Sequence, residues 1–247
     1  MDRLIYTSLS AMRSAQARQT ATANNIANAQ TPGFRADMAE VQALWLRGGE
    51  AQSRASSSEE VLAADMTAGT VVATGRPLDV AAEGATMFVV QSADGEEAYT
   101  RRGDFQMSES GLLATGDGRP VIGVGGPVIL PPADSVAIDA QGRISIIPAG
   151  GDPSQPQEVA RLKLVDPTGS DTVKGLDNLF HVRGGGILPE AVDARVKSGH
   201  LEGSNVSTTQ ALVDMIEASR SWDTQLKLIA DARDNDAATA DLMRLPD

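Results

Sequence analysis

The chain has 247 residues, of which 41% are hydrophobic, 22% charged and only 3% aromatic, so it is long enough to bury a globular core. Its 24 glycines and 12 prolines favour strands and turns over a helical bundle. A net charge of −12 without a Lys/Arg cluster argues against nucleic-acid binding, and the lack of cysteine excludes disulfides and thiolate metal ligands.

The N-terminus has no secretory-signal pattern, because no basic stretch precedes a continuous apolar run. No apolar run reaches the length of about 18 residues that a transmembrane helix needs. These features suit a cytoplasmic protein, and equally one that is exported by a dedicated secretion machine.

A helix is predicted near the N-terminus. From Leu4 to Gln30 the chain contains no glycine or proline, and large apolar residues recur at Ile5, Leu9, Met12 and Ile26. Ile5, Met12 and Ile26 follow a heptad period, which is typical of the narrow seam of a coiled coil. The helix should end at Thr31-Pro32-Gly33, since proline disfavours helical geometry at the residue before it.

The middle of the chain shows the pattern of β structure. Residues 38–80 are expected to form an extended connecting segment, with a small polar stretch from Gly48 to Glu60. Further on, short apolar or alternating runs flank Asp94-Gly95, Ser110-Gly111 and Gln141-Gly142, which indicates hairpins. A central β-rich domain built of short hairpins is therefore predicted over residues 81–199.

A second long helix is predicted at the C-terminus. Ser207 and Gln210 fit a capping box, and no glycine or proline interrupts the tract up to about Met243. Its predicted seam runs through Leu212, Ile216, Ser219, Asp223, Leu226, Ala230 and Arg233, with Trp222 and Ile229 beside it. We therefore predict an α+β fold in which long N- and C-terminal helices form a coiled-coil-like antiparallel pair, residues 1–37 with 200–247, beside the β-rich domain.

These two helices favour an assembly role. Their apolar stripes are thin, whereas ordering each residue costs about 1–2 kcal/mol of backbone entropy, so neighbouring copies could supply the missing burial. Residues 1–37 have four Arg against two Asp, and residues 200–247 have four Lys/Arg against nine Asp/Glu, so the two ends are oppositely charged. Exposed ion pairs contribute little, and the pattern alone equally allows a two-helix appendage packed on the β body.

Three groups of motifs resemble those of a known family. The first is Ala23-Asn24-Asn25-Ile26-Ala27-Asn28 with Thr31-Pro32-Gly33-Phe34. The second is Arg76-Pro77-Leu78-Asp79-Val80-Ala81 with Tyr99-Thr100-Arg101-Arg102-Gly103-Asp104-Phe105, and the third is Leu201-Glu202-Gly203-Ser204-Asn205-Val206 with Asp214-Met215-Ile216. In this order they are similar to the motifs of the bacterial flagellar rod and hook axial proteins, and Met1-Asp2-Arg3-Leu4-Ile5-Tyr6 resembles the start of the proximal rod branch. One departure is Trp222-Asp223, where the family usually has Tyr or Phe followed by Glu.

The resemblance implies a structural subunit of the flagellar basal-body rod that self-assembles through its terminal helices and transmits torque. It implies export by the flagellar type III apparatus without a cleavable signal peptide, and assembly in the periplasm with other rod proteins and further copies of the chain. No cofactor, metal, nucleic acid or membrane insertion is implied. The predicted subunit interface comprises Ile5, Leu9, Met12, Asn24, Asn25, Ile26, Asn28, Leu212, Ile216, Leu226 and Ile229.

Several motif residues have predicted structural roles. Gly33 and Gly103 are expected at turns that need positive φ. The three asparagines could help to end the helix or satisfy backbone groups at a packed interface. Arg101 and Arg102, beside Asp104, are expected on a solvated β edge.

Other interpretations stay open at this point. The distal rod branch of the same family is the nearest alternative, and a secreted adhesin-like β protein with helical ends is another. An enzyme is not predicted, because His181 and His200 have no metal-ligand partner at i+3 or i+4 and no nucleophile elbow or P-loop occurs. A carboxylate-pair glycosidase would be the enzymatic alternative, but pairs such as Glu96-Glu97 occur by chance in an acidic chain.

Overall fold

The structure is a computed structural model that describes residues 2–45 and 55–243; the side chains of residues 2–10, 39–45, 55–62, 236 and 240–243 are not described. The chain divides into two compact units. Unit 1 comprises Met1–Ala27, Asp37–Ala63 and Ser207–Asp247. Unit 2 comprises Asn28–Ala36 and Ala64–Val206.

Unit 1 contains both helices and one pair of strands. Its elements are α1 (Asp2–Ala27), β1 (Asp37–Trp45), β2 (Ala55–Ala64) and α2 (Thr208–Met243). The strands β1 and β2 pair with each other, and α1 packs against both α2 and β1. The expected extended segment over 38–80 falls partly on residues 46–54, which lie outside the described residues. Over the part of the chain that is described, neither helix has the length and apolar character needed to cross a bilayer.

The start of α2 shows only half of the expected capping box. Ser207 Oγ accepts a hydrogen bond from the Gln210 backbone N–H at 3.4 Å, as an N-cap serine should. The Gln210 side chain, however, donates to Asp214 Oδ1 at 2.8 Å within the helix. The N-terminal helix ends at Ala27, and a turn closes where the Thr31 backbone N–H donates to the Asn28 carbonyl at 3.0 Å.

The prediction of a coiled-coil-like pair of terminal helices is wrong. The structure has one helix at each end of the chain and a large β-rich body, which agrees with the α+β class but not with a large-residue seam. The residues assigned to the seam of α2 are exposed, with Ile216 at 55% and Leu212 at 52%. The less exposed side chains lie one position earlier, at Ala211, Met215, Ala218 and Trp222. Among the described side chains of α1, from residue 11 onward, the buried ones are Ser14, Ala15 and Ala21. A coiled coil needs large apolar side chains inserted into holes of the partner helix, and these mostly small residues cannot provide them.

Unit 2 is built of short strands. They are β3 (Val71–Ala73), β4 (Val80–Ala82), β5 (Met87–Gln91), β6 (Glu97–Thr100), β7 (Gln106–Met107), β8 (Leu113–Ala114), β9 (Ile122–Gly123), β10 (Gly126–Pro127), β11 (Ala133–Ile138), β12 (Arg143–Pro148), β13 (Gln157–Arg161), β14 (Leu164–Val165), β15 (Thr172–Lys174), β16 (Phe180–Val182), β17 (Val196–Ser198) and β18 (His200–Glu202). The hairpins expected around Gly95, Gly111 and Gly142 are present as the antiparallel pairs β5–β6, β7–β8 and β11–β12.

The largest sheet of unit 2 has five strands in the order β14-β5-β6-β16-β15, and a three-stranded sheet has the order β11-β12-β13. Two narrow ribbons join distant parts of the chain, because β17 pairs with β4 and β18 pairs with β3. Both ribbons bring the segment just before α2 back to the segment that follows β2. The end of unit 2 in the sequence is therefore anchored to its beginning.

The core of unit 2 surrounds the interior strand β5, which lies between β14 and β6. Alternate residues of this strand point into two buried clusters, one containing Phe88 and Val90 and the other containing Met87 and Val89. Phe88 meets Phe105 edge-on, with ring centroids 5.1 Å apart and an interplanar angle of 79°. All four strand residues are fully buried, so β5 needs apolar side chains on both faces.

The two motif glycines are needed for different reasons. Gly33 has φ 67°, as predicted, and a Cβ there would also overlap the backbone of Arg101. Gly103 does not have positive φ, so that prediction is wrong. A Cβ at Gly103 would overlap the Val80 carbonyl oxygen. The two residues are held together because the Val80 N–H donates to the Gly103 carbonyl at 2.9 Å. Close approach of two backbone segments excludes a side chain at Gly103.

Candidate assembly site

The aliphatic residues predicted at the interface on α2 lie mostly at the surface. Leu212, Ile216 and Leu226 are exposed, and Ile229 is half-buried. Val213 and Leu228, which the seam pattern did not include, are exposed as well. A helix of an isolated globular protein normally turns its large aliphatic residues toward a core. These side chains thus form an apolar helix surface that the described part of the chain leaves exposed.

The predicted residues of α1 are less accessible. Met12 and Ile26 are half-buried within unit 1. Ile5 and Leu9 lie in the helix, but their side chains fall outside the described residues. The contribution of α1 to an interface is therefore a prediction that rests on its sequence pattern.

The asparagines Asn24 and Asn25 hold the start of β1. The Asn25 side-chain amide donates to the Asp37 carbonyl at 3.0 Å, while its oxygen accepts from the Asp37 backbone N–H at 2.7 Å. Asn24 donates to Asp37 Oδ2 at 2.5 Å. An asparagine side chain can replace a backbone partner in this way because it has both a donor and an acceptor. These contacts give the two residues a role within the chain, whether or not they also touch a neighbour.

Replacing Asn25 with alanine is expected to destabilise unit 1 by about 1–3 kcal/mol, because a half-buried N–H and C=O of Asp37 lose their partners. Both tryptophans, Trp45 and Trp222, belong to unit 1, so urea unfolding followed by tryptophan fluorescence measures the change. Gln19→Ala, at an exposed position of the same helix, is the matched control and should leave the midpoint unchanged. An equal midpoint for Asn25→Ala and Gln19→Ala would contradict the assigned role.

The third asparagine, Asn28, belongs to the turn after α1. Its carbonyl accepts from the Thr31 backbone N–H at 3.0 Å, and its Oδ1 accepts from the Thr31 hydroxyl at 3.2 Å. Asn28 thus helps to end the helix, one of the roles expected for these asparagines.

A groove in unit 1 lies among α1, β1 and α2. Its volume is about 600 Å³, and its lining includes Arg18, Ala21, Asn25, Asp214 and Ala218. The walls combine small side chains with charges of both signs. This composition fits a polar packing surface better than a pocket for an apolar small molecule, which would need mainly hydrophobic and aromatic walls.

Segments from the two ends of the chain meet in unit 2. Residues 33–36 lie beside residues 202–205, and we call this pair of segments the terminal clamp. The Gly33 N–H donates to the Glu202 carbonyl at 2.8 Å, and the Asn205 N–H donates to the Phe34 carbonyl at 3.3 Å. The Ala36 N–H donates to Asn205 Oδ1 at 2.7 Å. The N-terminal and C-terminal motifs are therefore parts of one structure.

A buried cluster of three charges lies at the centre of the terminal clamp. Glu202 forms ion pairs with Arg35 at 2.8 Å and with Arg101 at 2.5 Å, and the three side chains are at most 3% exposed. The Gly69 N–H adds a hydrogen bond to Glu202 Oε1 at 2.9 Å. Burial lowers the pKa of Arg35 below its usual value, and the nearby Glu202 carboxylate opposes this shift. The cluster holds one net positive charge in the interior.

The buried position of Arg101 corrects the expectation of a solvated β edge. Besides Glu202, its guanidinium donates to the carbonyls of Ala82 and Gly84, at 2.8 Å each, and to that of Thr86. Arg102 is partly exposed and binds Asp104 through two hydrogen bonds, which raise the pKa of Arg102. Sequence reasoning missed the cluster because Arg35, Arg101 and Glu202 are far apart in the chain. The local signals were a single charge in each terminal segment, namely Arg35 directly after the N-terminal motif and Glu202 within the C-terminal one.

The described residues contain no group of three or more His, Asp or Glu side chains placed to hold a metal ion. His181 Nε2 lies 3.3 Å from Asp177 Oδ2, in a turn that also contacts Arg119. Glu97 is paired with Lys163 at 2.6 Å. Such ion pairs support turns and strands of unit 2.

Three family models match the chain. They are described as "Flagella basal body rod protein" over residues 5–35, "Flagellar hook protein FlgE/F/G D1 domain" over residues 81–146, and "Flagellar basal body rod FlgEFG protein C-terminal" over residues 197–242. The first and third contain the segments of the terminal clamp, and the second contains Arg101. The matches therefore cover the elements that build the site.

Similar proteins extend over almost the whole chain. The flagellar basal-body rod protein FlgF of Salmonella typhimurium strain LT2 is 38% identical, covering 99% of this chain and 100% of the relative. FlgF of Escherichia coli strain K12 is 40% identical, covering 95% of this chain and 96% of the relative. The flagellar basal-body rod protein FlgG of Bacillus subtilis strain 168 is 30% identical, covering 93% and 94%.

Proposed function

Because the chain belongs to the flagellar basal-body rod protein family, and is therefore a structural subunit of the rod, we propose that it is a proximal rod subunit that assembles through its terminal helices. Its place is the flagellar basal body, where it assembles with other rod components. The finer assignment to the proximal rod is supported by identities of 38% and 40% to two FlgF proteins over nearly the full chain.

The exposed aliphatic surface of α2 is the observation that supports assembly through the helices. Leu212, Ile216 and Leu226 are each between 45% and 55% exposed in the single chain. Burying a side chain of this size contributes about 1.5–3 kcal/mol when it is complete, so a neighbouring subunit that covers the surface gains binding free energy. Association of many such helices would give the rod the stiffness that torque transmission requires.

The proposed interface combines both helices. Its apolar members are Ile5, Leu9, Met12, Ile26, Leu212, Ile216, Leu226 and Ile229. Asn24 and Asn25 belong to the same unit as these side chains and hold the start of β1 through Asp37, whereas Asn28 binds Thr31 in unit 2. In unit 1, Asn24 and Asn25 fix the shape of the surface and the aliphatic residues supply the burial.

We further propose that the chain reaches the periplasm through the flagellar type III export apparatus. The lack of cysteine is compatible with this route, because no disulfide has to form after transport. The family is a structural one and not an enzyme family, and the proposed role needs only binding between subunits.

A distal rod subunit is the second candidate, favoured by the 30% identity to a FlgG protein. Its lower identity makes it the weaker candidate. Labelling isolated basal bodies with an antibody against this chain would distinguish the proximal from the distal assignment. Label next to the membrane-embedded base indicates the proximal rod, and label below the hook indicates the distal rod.

The assembly surface can be tested with Ile216→Asp in a strain that lacks the native gene. We expect swimming in soft agar and incorporation into isolated basal bodies to be lost, because a charge would be placed in an apolar contact. Asn235→Asp adds the same charge on α2 without removing an aliphatic side chain, and should swim normally. Hydrogen exchange of β5 and β6 confirms that unit 2 stays folded. Wild-type swimming by Ile216→Asp would refute the proposed surface.

A further inference from the structure

The hydrogen bonds of the terminal clamp join residues that lie near opposite ends of the chain. Three of them join residues 33–36 to residues 202–205, and the Asn205 side chain adds bonds to the Asp65 carbonyl at 2.8 Å and the Thr67 carbonyl at 3.1 Å. The Ala36 carbonyl in turn accepts from the Asp65 N–H at 2.8 Å. Residues 202–203 also bind β3 and the residue before it, because Glu202 pairs with Val71 and the Gly203 N–H donates to the Thr70 carbonyl at 2.8 Å. Residues 33–36 and 202–205 therefore support each other in addition to the contacts that each makes with the rest of unit 2.

The charges make a half-formed clamp unfavourable. If residues 202–205 left, Arg35 and Arg101 would remain buried without their carboxylate; if residues 33–36 left, Glu202 would lose one of its two arginines. A buried polar network is stable only when all its members are satisfied, because the low dielectric of the interior raises the cost of each unpaired group. A state in which residues 202–205 have left while residues 33–36 stay docked is thus disfavoured, because it keeps two buried arginines without a carboxylate.

A second set of contacts fixes the N-terminal segment to unit 2. Lys174 Nζ donates to the Arg35 carbonyl at 2.7 Å and lies 3.6 Å from the centre of the Phe34 ring. These contacts do not involve residues 202–205. The contribution of the C-terminal segment can therefore be removed by mutation while this anchor is kept.

We propose that the terminal clamp opens and closes as one cooperative unit, below the free energy of unfolding of the β-rich core, and so couples the N-terminal to the C-terminal segment. The chain leaves α1 at Ala27, shortly before residue 33, and enters α2 at Thr208, shortly after residue 205. The clamp therefore contains the segments that follow α1 and precede α2 in the sequence. In a two-state element of this kind, docking of one segment favours docking of the other, and release of one favours release of the other. For the rod, this inference rests on the proposed assembly function. When one terminal segment docks on a neighbouring subunit, the coupling favours order in the other terminal segment.

Native-state hydrogen exchange on the full-length monomer in low urea tests the coupling. In the wild type, the amides of Gly33, Ala36, Gly203 and Asn205 should share one opening free energy, and the amides of β5 and β6 should exchange more slowly. Gly33→Ala perturbs the N-terminal segment, since a Cβ would overlap the Arg101 backbone. Asn205→Ala perturbs the C-terminal segment by removing the side-chain bonds to Ala36, Asp65 and Thr67.

Gly33→Ala should accelerate exchange of the Gly203 and Asn205 amides, and Asn205→Ala should accelerate exchange of the Gly33 amide, whose acceptor it leaves in place. The factor should be similar in both directions, about tenfold or more, with β5 and β6 unchanged. Gly150→Ala, at an open site with φ 74°, controls for the positive-φ strain, and Asn235→Ala controls for loss of an amide. Acceleration confined to the mutated segment would overturn the proposal, and so would loss of protection in β5 and β6 with both variants. The monomer measurement is independent of swimming, so coupling and rod assembly can fail separately.

Discussion

Replacing Glu202 with glutamine is expected to lower the free energy of unfolding of unit 2 by about 3–5 kcal/mol, because two buried arginines lose the carboxylate that pairs with both. Glutamine keeps the shape of the side chain, so the effect isolates the charge. Glutamine also has a single acceptor oxygen in place of the two carboxylate oxygens, to which Arg35, Arg101 and Gly69 all donate. Urea unfolding followed by exchange of the β5 and β6 amides measures the loss.

The matched control for this change is Glu109→Gln, at an exposed turn of the same unit. It removes the same charge where water solvates the group, and a surface substitution of this kind changes stability by about 0.5 kcal/mol or less. If Glu202→Gln were as stable as Glu109→Gln, the cluster would contribute no net pairing energy and the account of the terminal clamp would be wrong.

Phe88→Ala is expected to destabilise unit 2 by about 3–5 kcal/mol, because a fully buried aromatic side chain leaves a cavity in the core. The edge-on contact with Phe105 is lost as well, and such an aromatic pair contributes about 0.5–1.5 kcal/mol to stability beyond its buried area. The same urea experiment measures this change. In cells, a loss of this size should reduce the amount of protein in the basal body even though Phe88 touches no neighbour.

Leu176→Ala serves as the control for the core variant, because Leu176 is fully exposed in a turn of the same unit. Its truncation removes no buried contact within the chain, so the midpoint should shift by an amount within error. A small effect of Phe88→Ala, comparable to that of Leu176→Ala, would mean that the two clusters around β5 do not form the stabilising core.

Local patterns predicted the elements well. The absence of glycine and proline from Leu4 to Gln30 and from Ser207 to Met243 predicted α1 and α2, because helix propensity and breakers act over a few neighbouring residues. Glycines 95, 111 and 142 marked three real hairpins for the same reason. The motifs predicted the flagellar rod family, which the full-length relatives confirm.

The contact face of α2 could not be predicted in the same way. The seam pattern selected the largest aliphatic residues, Leu212, Ile216 and Leu226, whereas the helix turns Ala211, Met215 and Ala218 inward. Heptad spacing fits both stripes, which differ by one position. Which stripe is buried depends on the partner surface, and small residues permit a close approach that larger ones prevent.

The sequence by itself determined where helices, turns and hairpins occur and to which family the chain belongs, since these depend on local propensity and on ordered motifs. Only the tertiary structure decided that Arg35, Arg101 and Glu202 form a buried cluster, that Gly103 is required by contact with Val80, and that Asn25 and Asn205 bind distant backbone groups. The physical reason is that pairing between residues far apart in the chain depends on the path of the backbone, and a charge or an amide looks the same in sequence whether it is solvated or buried.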